Sequence, residues 1–509
     1  FGEAQDQAGA LAAARRASLA EVGSALVATR KAWRQRLDKA RVRTNRPDFD
    51  RLVNIWLPYQ TMAARLFGRV GPNQRGGAFG FRDQLQDVLP LVFIEPRLTR
   101  AQIVLHAGQQ FPEGDVLKWW HRAPDGRTGL GQRTRACDPH LWLPYVLARY
   151  VAATGDSGVL DEKVAYLDGP AVPEHEDTLV MAPRASREIG DIYEHCQRAI
   201  NHTLGRLGAN GLPLLGAGDW NDGIDALGRL GRGTSVWMGF FFYDVLTRFA
   251  PLADARGDKA FAAICEDAAR SLRSALEVGW RGDHYALDFA DSGEPLAMPN
   301  AMTSGWPAYS GAVDHGRAVA AIEGGLKAVE RQDRVLLTEK PFFEHSSPYP
   351  GRIADYPPGV RENGGQYSHG ASWIVDGFAR LSEEARAAGN RDEAARLIAR
   401  AFEIFEKISP LGKTRPEGIA RYGLAPNQQP ADIYDGYGHD GRGGWSWYTG
   451  SAARMLSAAY AILGVSMVNG EIVVSPDLFE PKGELRVETL NIGGREWRGE
   501  RADETRLAV

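Results

Sequence analysis

Residues 391–408 read RDEAARLIARAFEIFEKI. Leu397, Ile398, Ala401, Phe402, Phe405 and Ile408 recur at intervals of three and four, so they share one face of a helix and leave the charged residues on the other. Pro410 then ends it, because proline has no N–H to donate and clashes with the preceding turn. Such a helix must lay its apolar stripe on a neighbour, and the chain supplies many. Apolar positions at helical spacing recur over 50–67, 82–94, 99–110, 139–154, 187–206, 234–250, 258–279, 314–330, 367–387 and 446–463. Short connections alternate with long ones (111–138, 207–233, 281–313 and 341–366) that are rich in Gly, Pro, Trp and Tyr. About a dozen helices joined in this way predict a mainly α fold. They pair and close into an α/α toroid whose long loops gather at one mouth, and loops of that length usually carry function.

Outward from that ring, residues 10–43 are rich in Ala, Arg, Leu and Lys and predict one long exposed helix, or two in series, broken before Pro47. After Gly464 the segment EIVVSPDLFEPKGELRVETLNIGG predicts a few short strands. The expected division is a helical linker over 1–48, a helical catalytic domain over 49–466 and a small C-terminal β segment over 467–509. The 509 residues allow a sizeable core. With 44% hydrophobic residues, 24% charged residues and a net charge of -4, nucleic acid is an unfavourable partner. Cys137, Cys196 and Cys265 are widely spaced without CxxC, which predicts buried thiols in a reducing compartment. The run VWMGFFFYDVL is too short to span a bilayer and contains Asp244. The opening FGEAQDQAGA has neither an initiator Met nor a signal pattern, so the chain is expected to begin inside a longer gene product.

The chemistry is expected in the loops. In LGAGDWNDGID (215–225), Asp222 lies two residues after Trp220 and close to Asp219 and Asp225. A carboxyl against an indole and near like charges is expected to titrate high, which suits a general acid. A calcium loop would need a Glu where Arg229 stands. In RGGAFGFRDQLQDVLPL (75–91), Asp83 and Asp87 are four apart on one helix face beside Arg82, a set that binds sugar hydroxyls or else caps the helix. Trp119 and Trp120 are adjacent, so one can face the core while the other offers a flat plate to a pyranose; Trp120 is expected to bind sugar. Arg361, Glu362 and His369 lie at the entry to a helix, where backbone N–H groups welcome an anion. In DGRGGWSWYTGSAARML (440–456), Thr449, Gly450 and Ser451 offer small donors beside a helix, although GxxxxGK[ST] is absent.

In this order GFRDQLQD, QFPEGDVLKWWH, QRTRACDPHLWLPY, GDWNDGID, GVRENGGQYSHGASW and GGWSWYTGSA resemble glycoside hydrolase family 94 over about residues 50–465. That family contains inverting cellobiose and chitobiose phosphorylases and the C-terminal domain of cyclic β-1,2-glucan synthases. YEHC at 193–196 and PPGVRENGGQYSHGASW resemble the glucan-synthase or β-1,2-oligoglucan phosphorylase branch. The resemblance implies an (α/α)6 barrel and an inverting phosphorylase that needs no cofactor or metal, with inorganic phosphate as co-substrate and a β-glucan oligosaccharide as partner. It implies Asp222 as general acid and His369, Thr449, Gly450 and, nearby, Arg75 around phosphate. Arg82, Asp83, Trp220, Arg361 and Glu362 fall on sugar-subsite motifs. A role in setting chain length within a glucan synthase follows, with a homodimer or further domains of a larger polypeptide as partners. The expected location is cytoplasmic, at the inner face of the inner membrane for a synthase. Two departures stand out. The β-sandwich domain that usually opens such phosphorylases is expected to be either missing or upstream in a longer polypeptide, and RTRACDPHLW carries Cys137 and Pro139 where the branch has RTR-x-SDD. An inverting hydrolase or transglycosylase, and a non-catalytic glucan-binding module, are the alternatives.

Overall fold

The computed structural model describes residues 4, 6–16, 19–68, 77–123, 125–436 and 438–499. Helix Arg391–Ile408 forms as its period demands, with all six stripe residues buried. It lies along Ser368–Ala387, and Asn390 caps its start by accepting from the Glu393 N–H. Among the described residues six helices touch in chain order: Phe81–Asp87, Trp142–Thr154, Val236–Ala255, Ala301–Ser310, Ser368–Ala387 and Thr449–Ile462. The last packs against the first, so the set closes on itself. Helices Pro96–Ala107, Ile192–Leu204, Lys259–Ala275, His315–Val329 and Arg391–Ile408 pack outside this ring. The difference in sequence follows. Trp142–Thr154 is buried on nearly every side, whereas Lys259–Ala275 buries one stripe of Phe261, Ala262, Cys265, Ala269 and Leu272.

Three expectations change. Residues 281–313 are not all loop, because Ala301–Ser310 completes the ring. Its sequence AMTSGWPAYS is buried along its length apart from Tyr309, so no polar stripe betrays it, and Gly305 lets it press on the Trp373 backbone, where a Cβ would come within 2.7 Å. Residues 111–138 contain the hairpin Leu117–Arg122 and Thr128–Thr134, which joins Phe79–Gly80 and Thr178–Met181 in a four-stranded antiparallel sheet. The linker helix ends at Leu37, and Ala40–Thr44 is a strand with alternating burial. It pairs antiparallel with Val487–Ile492, which pairs in turn with Arg495–Arg498. Val465–Val468 and Glu471–Val474 form a separate hairpin. The three cysteines are free and buried. Among the described residues no helix is long and apolar enough to cross a membrane.

Candidate active site

Arg82, His369 and Thr449 stand in the first turns of three ring helices, and these N-terminal ends meet the 219–225 loop around one cleft. Its volume is about 220 Å³, and Asp83, Gln86, Lys118, Trp119, Trp220, Asp222, Arg361, Glu362, Tyr367, Trp445 and Tyr448 complete the lining. Two clefts elsewhere are larger, about 440 Å³ at Arg135, Arg206 and Arg229 and about 840 Å³ at Arg334, Lys413 and Arg421. Neither holds the expected site residues. The smaller cleft gathers Asp222, Arg82, Asp83, Trp220, Arg361, Glu362 and His369, with Thr449 and Gly450 directly behind it. Arg75 lies outside the described residues.

The carboxylates of the DWNDGID segment diverge. Asp219 turns inward, where its oxygens accept from Ser235 Oγ (2.8 Å) and from the Asn221 N–H (2.8 Å). Asp225 turns outward and accepts from the Arg352 N–H at 3.0 Å. Asp222 faces the cleft with a side chain 39% exposed, and its Oδ1 is 2.7 Å from both Arg82 Nη2 and Lys118 Nζ. The expectation of a high-titrating Asp222 is therefore corrected. Burial pushes its carboxyl up, but the Arg82 and Lys118 cations outweigh that and hold it well below the usual range. The expected behaviour belongs to Asp219, which burial pushes up to about 7, with the Asp138 charge adding to it against the Ser235 and Asn221 hydrogen bonds. Arg82 is itself fixed, since its Nη1 donates to both oxygens of Asp138 (3.0 and 3.1 Å) and to the Asp219 carbonyl (3.1 Å).

The opposite wall is unsatisfied. His369 Nε2 is bonded to Gln86 Oε1 at 2.9 Å, while Nδ1 is buried without a partner and faces Gly450, where a Cβ would sit 2.6 Å away. Helices Ser368–Ala387 and Thr449–Ile462 start at Tyr367 and Tyr448, neither of which caps with its side chain. By contrast Asp191, Ser235, Asp258, Asn300, Asp314 and Asn390 all cap theirs. Thr449 Oγ1 donates to Asp87 Oδ2 at 2.7 Å, and burial pushes Asp87 up to about 7 although Arg65 and Thr449 pull it back. Burial, with Arg454, Arg82 and Arg65 nearby, pushes His369 well below its ordinary value. The wall thus offers two helix starts without a side-chain cap, of which the Ser368 N–H donates to the Ala431 carbonyl at 2.8 Å, and an unpaired ring nitrogen, which together suit an anion.

The aromatic plates are redistributed. Trp120 is 1% exposed and stacks on Phe79 at 5.3 Å, with His106 against its edge, so it is core and not a sugar plate. Trp119 faces the cleft instead. A bulge between Leu117 and Trp119 breaks the strand's alternation, which allows Lys118 and Trp119 to line the cleft together. Trp220 lies edge-on to His369 (4.9 Å) and Tyr367 (5.7 Å). Arg361 bonds Glu362 at 3.1 Å and lies over the Trp445 ring at 4.2 Å, and Trp445 stacks on Tyr448. Arg361, Trp445 and Trp447 all have positive φ (54°, 51° and 65°), backbone strain of the kind that concentrates at functional sites. Asp83 does not cap its helix; it pairs with Arg65 at 2.9 Å and folds back over Gly80, where any Cβ would collide with it. Sequence reasoning missed Lys118, Gln86, Tyr367, Trp445 and Tyr448. The aromatic content of GGWSWYTG was the available signal for the last two.

Comparison with known proteins places this geometry. The family described as "Glycosyl hydrolase 94 superfamily, catalytic domain" matches residues 32–464. The chain is 38% identical over 467 residues to the cyclic beta-(1,2)-glucan synthase NdvB of Rhizobium meliloti (strain 1021), covering 90% of this chain and 16% of that protein. It is 26% identical to the solabiose phosphorylase of Paenibacillus borealis (82% and 49% covered) and 24% identical to the N,N'-diacetylchitobiose phosphorylase of Vibrio furnissii (94% and 59%). The chain thus spans a sixth of the synthase and about half of the phosphorylases. Its fold is similar to that of a GH78 family rhamnosidase of Bacillus sp. GL1, with TM-score 0.55 at 12% identity, covering 89% of this chain and 38% of that one. The match over residues 32–464 takes in most of the chain, which belongs to the glycosyl hydrolase 94 superfamily.

Proposed function

We propose that this chain is an inverting glycoside phosphorylase of β-linked gluco-oligosaccharides, with the β-1,2 linkage favoured, built on an (α/α)6 barrel of which the closed ring forms the inner layer. Asp222, which takes up a proton against the hold of Arg82 and Lys118, delivers it to the glycosidic oxygen while phosphate attacks the anomeric carbon from the opposite face. The C–O bond to the leaving sugar breaks, that sugar's oxygen keeps the proton, and the new C–O–P bond gives α-glucose 1-phosphate and a shortened glucan. In synthesis the same carboxylate takes the proton of the acceptor hydroxyl. Arg82, Asp83, Trp220, Trp119, Arg361 and Glu362 hold the sugar; His369, Thr449 and Gly450 hold phosphate. The observation that carries this reading is the pair of uncapped helix starts beside the unpaired His369 Nδ1, across the cleft from Asp222. Water needs a second carboxylate to activate it, whereas a phosphate anion needs only a place to bind. The 38% identity to a cyclic beta-(1,2)-glucan synthase, of which this chain covers 16%, supports the β-1,2 preference and a place within a larger polypeptide, where the proposed role is to set chain length at the cytoplasmic face of a membrane.

A hydrolase reading would rest on Glu362, which lines the same cleft and which burial, against the pull of Arg361, pushes above its ordinary value, as a base for water. Incubation with β-1,2-, β-1,3- and β-1,4-linked gluco-oligosaccharides, with and without phosphate, separates the readings. Phosphate-dependent release of glucose 1-phosphate, greatest from the β-1,2 substrates, is expected. Free glucose formed equally without phosphate would make the protein a hydrolase, and no product from any linkage would leave a binding module.

A further inference from the structure

Lys118 is absent from every motif role assigned above, yet its ammonium sits 2.7 Å from the oxygen of Asp222 that Arg82 also touches. The two cations are held differently. Arg82 is anchored by Asp138 and the Asp219 carbonyl, so its position does not depend on Asp222. Lys118 comes from the bulge in the Leu117–Arg122 strand, and among the described residues Asp222 is the carboxylate within ion-pair distance of its ammonium. An ammonium on a flexible stem with a single anionic partner is the adjustable member of such a pair. Both cations use Oδ1, which leaves Oδ2 as the oxygen free for the sugar. We propose that Lys118 is a positioning residue that clamps Oδ1 of Asp222 and thereby decides when the other oxygen carries the proton.

The inference rests on Asp222 being the acid, and it adds what controls that acid. Among the described residues, the charged groups that bear on the Asp222 carboxyl are Arg82 and Asp83 from the first ring helix and Lys118 from the strand, while Asp219 and Asp225 of its own loop turn away from it. The 352–362 segment adds Arg352, whose Nη2 donates to the Asp222 carbonyl at 2.5 Å, together with Tyr356, Arg361 and Glu362. Of these, Lys118 is the cation on the carboxylate that can be neutralised without removing a sugar-subsite residue or disturbing Asp138.

The test compares wild type, Lys118→Met and Lys118→Arg. The Asp222 side chain is titrated by carbon-13 NMR of labelled aspartate, its signal identified by loss in Asp222→Asn. The pH profile of kcat/KM for glucose 1-phosphate release is measured in parallel. In Lys118→Met the Asp222 midpoint and the alkaline limb of the profile are both expected to move up by about one pH unit or more, the usual effect of one neighbouring charge. Lys118→Arg is expected to keep both near wild type. An Asp222 midpoint unmoved in Lys118→Met overturns the clamp, and a uniform fall in kcat with the limb in place assigns Lys118 a merely structural role. If wild type releases no glucose 1-phosphate while the midpoint still moves, the clamp stands and the phosphorylase reading falls.

Discussion

The cleft's two walls settle their charges in opposite ways. On the 219–225 side, Asp222 already holds two cations, and Arg82 is tied to Asp138 as well. On the 369 and 449 side, a ring nitrogen has no hydrogen-bond partner, two helix starts lack a side-chain cap, and His369 and Asp87 are both pushed toward their neutral forms, chiefly by burial. One wall is charge-paired before ligand arrives, and the other keeps a ring nitrogen for ligand to engage. On the proposed reading, such a site fixes its acid in advance and leaves its anion subsite to be completed by phosphate.

The sharpest way to break the contrast is to disable the finished wall. Asp222→Asn keeps the shape but cannot transfer a proton, so glucose 1-phosphate release is expected to fall by a factor on the order of a hundred to ten thousand. Normal turnover in this variant would remove Asp222 from the chemistry. Next in size is the strand that separates plate from core. Trp120→Ala should cost about 3–5 kcal/mol of stability, as expected for a large buried aromatic, read by denaturant unfolding. Trp119→Ala should leave the unfolding curve nearly in place while raising KM for the glucan; a reversed pattern would restore Trp120 as the sugar plate. On the unfinished wall, His369→Ala removes one hydrogen bond to a charged ligand, worth about 1.5–3 kcal/mol. The apparent KM for phosphate should therefore rise by about ten- to a hundredfold with little change in KM for the glucan, and an equal rise in both would deny His369 a specific hold on the anion.

The last prediction concerns Asp219, which lies beside the buried Asp288 carboxyl and is raised to about 7 in the fold against about 4 in an unfolded chain. A carboxyl raised by folding supports stability below its unfolded value and loses that support as pH climbs through its folded one. Thermal stability should therefore decline between about pH 4 and pH 7, and Asp219→Asn should flatten that slope in melting curves. An unchanged slope would show that Asp219 does not titrate in this window.

Periodicity made the ring legible wherever a helix has one wet side, as in Arg391–Ile408, whose stripe is buried as its spacing requires. It failed at Ala301–Ser310, which is enclosed on nearly all sides and carries a Gly and a Pro that imitate a loop. It also failed at Ala40–Thr44, whose alternation becomes a strand only because its partner comes from more than 440 positions later in the chain, as Asn491 meets Arg41 and Leu490 meets Val42. The polar residues of the site were visible as types within motifs. Their charge states were not, because Asp222 is governed by Arg82 and Lys118, which reach it from distant stretches. Trp119 and Trp120 show the same limit: adjacency says that one of the two faces inward, and only the bulge decides which.

The strand Ala40–Thr44 seated on Val487–Ile492 ties the stretch of chain before the helical ring to the stretch after it. Any module fused ahead of residue 40 and any module fused behind residue 498 would emerge as neighbours. A pull on one would be felt by the other through a shared ribbon of backbone hydrogen bonds before it reached the catalytic mouth.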